Sequence, residues 1–74
     1  MEKIRLLVEA IHKSEKQADR YFDLYCKYTD KGDKIKADCF ELAHNKEIAK
    51  LNGMEYALLI LGYRYLGHGD YAKL

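Results

Sequence analysis

Apolar residues recur along this chain at helical spacing from its first residues. Ile4, Val8, Ile11, Glu15, Ala18, Phe22, Tyr25 and Thr29 follow a 4-3-4-3 rhythm that places them on one helix face, with Glu15 as the single charged member. The same rhythm returns at Ile35, Cys39, Leu42, Lys46, Ala49, Gly53, Tyr56 and Ile60, again with one charge, Lys46. Nowhere do apolar and polar residues alternate as they would in a half-buried strand. The spacing therefore predicts a helix over about 2–29 and a second over about 34–66.

Between them lies Asp30-Lys31-Gly32-Asp33. Gly32 suits the left-handed position that ends a helix, and Asp33 suits the N-cap that starts one, because its carboxylate can accept from free amides of the next turn. So short a loop makes the helices antiparallel neighbours. The fold class expected is all-α, an antiparallel two-helix hairpin over 1–66. The glycine- and tyrosine-rich end, from Gly62, should leave the helix by Gly67, with 67–74 as a loosely held tail.

If the two rhythmic faces meet, residues level across the seam have numbers summing to about 60–61. Phe22 then meets Cys39, Val8 meets Gly53, and Glu15 falls opposite Lys46. The sequence thus predicts a Glu15–Lys46 ion pair that sets register more than it stabilises, since desolvation offsets much of its Coulomb gain. Cys39 reads as a small buried hydrophobe. Gly53 costs about 1 kcal/mol against alanine in mid-helix, which points to a close backbone approach against Val8 or a local bend.

The second helix is apolar on more than that face. Phe40, Ala43, Leu51, Met54, Leu58, Leu61 and Tyr65 form another stripe, rotated by on the order of 100° from the first. One hairpin offers only one partner surface, so Phe40, Leu51, Met54, Leu58, Leu61 and Tyr65 are the expected oligomer interface. The simplest assembly is a homodimer in which two hairpins form a four-helix bundle.

Composition supports this more than it redirects it. A chain of 74 residues buries only about 60% of the surface its unfolded form exposes, so oligomerisation is a natural source of added stability. Two cysteines are too few for a disulfide framework. The first residues lack a secretory pattern and the apolar run around Leu58–Leu61 is too short to span a bilayer, so the cytoplasm is the expected location. Thirteen basic and twelve acidic residues leave a net charge of +1, which exerts no bulk pull on nucleic acid or lipid. Lys13, Lys16, Arg20, Lys27 and Lys31 do line one side of the first helix, but Asp19 and Asp23 interrupt them. A nucleic-acid accessory role is accordingly a minor alternative.

One pattern carries possible chemistry. Glu9-Ala10-Ile11-His12-Lys13-Ser14-Glu15 and Glu41-Leu42-Ala43-His44-Asn45-Lys46-Glu47 share the spacing E-x-x-H-x-x-E. Over these two windows the chain resembles the ferritin-like di-metal carboxylate bundles. That resemblance implies iron or manganese held by His12, His44 and some of Glu9, Glu15, Glu41 and Glu47. Against it, the hairpin register sets His12 level with Ala49, and a solvated helix surface accounts for the same glutamates and lysines. The expectation is therefore no metal and no cofactor, with His12, Glu15, Glu41, His44 and Glu47 as the candidates if one binds.

No glycine-flanked serine or cysteine–histidine pair suggests a nucleophile. Seven tyrosines, several off the inner face, suit a surface where an apolar body meets a wet rim. The function expected from sequence is a small non-enzymatic protein–protein interaction module, self-associating as a helical hairpin.

Overall fold

A computed structural model describes residues 2–74. Its elements run α1 (Glu2–Asp30), α2 (Lys34–Ile60), β1 (Tyr63–Gly67) and β2 (Asp70–Lys73). The helical hairpin expected from the periodicity is present, and its turn shows how the local sequence ends one helix and starts the next. Gly32, at φ 75°, donates its amide to Thr29 O, and the Asp33 amide reaches back to Tyr28 O at 2.9 Å. This is the Schellman arrangement, in which a left-handed glycine lets two carbonyls of the last turn find donors. The Asp33 carboxylate then accepts from the Lys36 amide at 3.2 Å and caps α2.

The chain departs from all-α after Ile60. Helix α2 ends there rather than near residue 66, because Gly62 takes φ 90° and its amide caps Leu59 O. What the sequence reading treats as a tail is an antiparallel β-hairpin. Tyr63 pairs with Lys73, Arg64 with Ala72 and Tyr65 with Tyr71, with a register shift between Tyr65 and Gly67. His68 and Gly69 connect the strands, both at positive φ (52° and 85°), the backbone of a type I′ turn. Burial alternates along β1: Tyr63, Tyr65 and Gly67 are half-buried while Arg64 and Leu66 face solvent.

The second departure is rotational. On α1, Ile4, Val8, Ile11 and Ala18 are buried as the rhythm predicts, with Ser14 in place of Glu15. On α2 the rhythm expected at the seam is on the outside. Ile35 is 79% exposed, Leu42 57%, Tyr56 66% and Ile60 69%, and Cys39, Lys46, Ala49 and Gly53 are exposed with them. The face that meets α1 is instead the second stripe. Leu58 is fully buried with Ile4, Val8 and Ile11, while Leu51, Met54, Tyr63 and Tyr65 pack around that cluster.

The hairpin is a rod of 46 × 17 × 17 Å. Its aliphatic core lies at the end where the start of α1, the end of α2 and the β-hairpin converge. Aromatic pairs fill the other end: Phe40 of α2 stacks on Tyr28 at 5.5 Å between ring centroids and leans on Tyr21, and His44 sits 5.7 Å from Phe22. Among the described residues, no helix is long and apolar enough to cross a membrane.

Candidate functional site

Two places bring chemistry-bearing residues together. The first is where the β-hairpin docks on α1. An isolated two-stranded hairpin is marginal in water, and this one is held by a polar clasp. Tyr65 donates its hydroxyl hydrogen to Glu15 Oε1 at 2.6 Å, and the Gly69 amide donates to the same hydroxyl oxygen at 2.8 Å. His12 Nδ1 lies 3.2 Å from Glu15 Oε1, one turn back on α1. The His68 backbone contributes a further hydrogen bond to Glu15. Gly69 lies over the imidazole so closely that a Cβ there would stand 3.6 Å from His12 Cγ.

The electrostatics of the clasp follow from these bonds. Burial pushes the Glu15 carboxyl upward, but hydrogen bonds from Tyr65, His12 and the His68 backbone, with the charge of His12, outweigh it and hold the group below its ordinary 4.5. Burial and the carboxylate beside it push the Tyr65 hydroxyl up to about 12, since a phenolate there would lose its bond to Glu15 and face a like charge. The pair is therefore stable as carboxylate and neutral phenol. A phenol so hard to ionise is a poor base or nucleophile, and the arrangement reads as a fastening.

Glu15 is thus not met by Lys46. Its carboxylate is taken up by the clasp, Lys46 is exposed, and no ion pair joins the two among the described residues. The level of the layer along the hairpin is close to that expected, for Ser14 and Gln17 share a cleft with Glu47 and Lys50. What differs is the rotation of α2, which turns Lys46 to the outside.

The metal candidates are dispersed by the same rotation. His12 and Glu15 are joined at the clasp, whereas His44 packs on Phe22 with Glu41 beside it. Glu47 lines the separate cleft near Ser14. Among the described residues no three histidine, cysteine, aspartate or glutamate side chains gather as a metal ion requires. The cleft bounded by Phe22, Tyr25, Glu41 and His44 holds about 200 Å³, less than the roughly 300 Å³ at which small-molecule pockets begin.

Lys27 and Lys31 of the basic stripe, joined by Lys36 of α2, converge on one ring, each 5.2–5.7 Å from the centroid of Tyr28. These cation–π contacts tie the stripe to the turn end of the hairpin.

The second place is the outer face of α2. Phe40, Leu51, Met54, Leu58 and Tyr65, expected as the oligomer interface, lie inside the single hairpin or against its core; only Leu61 of that set is exposed. On α2 the residues left for a partner are chiefly the ones expected at the seam, Ile35, Cys39, Leu42, Ala49, Tyr56 and Ile60, with Leu59 exposed beside them. Cys39 is exposed on this face rather than buried. Gly53 has no close approach to Val8, since a Cβ built on it meets nothing within 4 Å. The clasp is the part that sequence reasoning missed. Its available signal was the string Tyr-Arg-Tyr ahead of Gly-His-Gly, a strand-forming triplet before a turn.

Compared with protein-family models, with curated proteins and with solved structures, the chain matches none.

Proposed function

We propose that this protein is a non-enzymatic interaction module that works as a homo-oligomer, joined through the outer face of α2. One observation carries the reading: after α1 and α2 have closed their shared seam, a second apolar stripe the length of α2 is still in water. Monomeric proteins seldom leave so long a strip exposed that is apolar but for one charge, here Lys46. The hairpin's own core is also small, with Ile11 and Leu58 the large side chains fully buried among the described residues, so a partner would add the burial that a short chain lacks.

Joining two hairpins through α2 gives four helices in the order α1, α2, α2, α1, a layered version of the four-helix assembly expected from sequence. The charged outer side of α1 would then be free to face another protein.

Sedimentation equilibrium from low micromolar to hundreds of micromolar tests this. The native chain should move from its 8.7 kDa monomer toward twice that mass. Leu42→Glu combined with Tyr56→Glu should hold it at the monomer mass with its helical circular dichroism intact. A native chain that stays monomeric, or association indifferent to the two glutamates, would overturn the reading.

A further inference from the structure

We infer that the occupant of α2's outer face is a second copy of the same helix laid antiparallel, with Leu42 of each copy seated over Gly53 of the other. This rests on the self-association proposed above and specifies its geometry. The outer positions Ile35, Cys39, Leu42, Lys46, Ala49, Gly53, Tyr56 and Ile60 keep a strict alternation of three and four, the spacing of a coiled-coil seam. They are exposed along the whole helix.

Their sizes are ordered in a particular way. Reversing the stripe about its midpoint pairs positions whose numbers sum to about 95, and in the three inner layers a large residue then meets a small one, while the outermost layer joins two isoleucines. Leu42 faces Gly53, Tyr56 faces Cys39, Lys46 faces Ala49, and Ile35 faces Ile60. In a two-fold dimer each of these pairings occurs twice. A parallel dimer would set every residue against itself, leaving a void where glycine meets glycine and pressing Lys46 on Lys46. The antiparallel arrangement staggers the two lysines by about 4.5 Å along the axis, and each can run its stem past an alanine toward water.

The flanks agree. Antiparallel pairing sets Lys50 beside Ala43, Lys36 beside Ala57, Asn45 beside Asn52 and Asp38 beside Leu59, so no like charges are opposed.

Gly53 is the deciding residue. A glycine in mid-helix costs about 1 kcal/mol relative to alanine, and within one hairpin nothing approaches it that a side chain would obstruct. A second copy gives it a role, as the hole that receives Leu42. The stripe is about 37 Å long and one helix wide, at the small end of specific interfaces, so association in the micromolar range is expected.

The test uses the full chain. Gly53→Leu should weaken dimerisation at least about tenfold by overpacking Leu42, while leaving the monomer helical because the site is open. Leu42→Ala should also weaken it, and the double variant should recover part of the loss, since the swap restores one large and one small residue per layer. In a Cys26→Ser background, Tyr56→Cys should cross-link rapidly on mild oxidation, joining Cys39 to the new thiol at position 56 of the other copy. The same background without Tyr56→Cys should cross-link slowly. If Gly53→Leu tightens the dimer, or if Cys39 cross-links to its own counterpart as fast, the antiparallel geometry is wrong although self-association stands. If the native chain is monomeric throughout, both fall.

Discussion

Tyr65 and Glu15, separated by 50 positions in the chain, are joined by a 2.6 Å hydrogen bond that fastens the β-hairpin to α1. The phenol is placed for this by strand alternation, which turns Tyr63 and Tyr65 toward the helices. Its oxygen also accepts the amide of Gly69 from the turn. One side chain therefore closes the turn and docks it.

Removing that hydroxyl should release the hairpin without unfolding the helices. Tyr65→Phe keeps the ring against the core but strips the Glu15 carboxylate and the Gly69 amide of a partner, a loss of about 1–3 kcal/mol. Hydrogen exchange should show the amides of residues 63–73 losing protection while those around Ile11 and Leu58 keep theirs. Equal loss in both regions would mean that the hairpin is integral to the core rather than fastened to it.

The clasp should also open at both ends of the pH range. Glu15 has a lowered pKa in the folded state, so its contribution is complete above about 4.5 and disappears as pH falls through the lower folded value. Tyr65 is raised, so the unfolded chain loses its proton first. Stability is then complete below 10.0 and declines as pH rises toward about 12. Phenolate absorbance should show Tyr65 titrating near 12, and Glu15→Gln should bring it down. A Tyr65 that titrates at the ordinary 10.0 would contradict the geometry.

Ser14 occupies the seam position beside Glu15 and is 3% exposed. Its Oγ has no hydrogen-bond partner among the described residues. Ser14→Ala removes an unpaired buried hydroxyl and improves helix propensity, so it should raise stability by about 1 kcal/mol. Thermal or denaturant unfolding would measure it, and a decrease would show that the hydroxyl is bonded.

Much of this architecture was legible in the residues themselves. The hairpin turn follows from local chemistry: Gly32 can take the left-handed conformation, Asp33 can cap, and both act within a few residues of themselves. The inner face of α1 was readable over its first part, where Ile4, Val8, Ile11 and Ala18 are buried at the expected spacing; beyond it Phe22, expected on the same face, is 50% exposed. The β-hairpin was less visible, since its signal is only a few residues long and its helical alternative, carried on from Leu58–Leu61, is strong.

The face of α2 and the role of Glu15 were decided by tertiary structure alone. Helix α2 carries two apolar stripes, each with helical periodicity, and periodicity has no means of ranking them. The choice falls to the elements outside the helix. Only one rotation of α2 lets Leu58 close over Ile4, Val8 and Ile11 while Tyr63 and Tyr65 continue the same wall and Glu15 receives the phenol. The sequence by itself thus determines two helices, the turn between them and the inner face of the first. Which side of the second is buried, and which remains for a partner, depends on contacts between residues far apart in the chain, where packing outweighs local pattern.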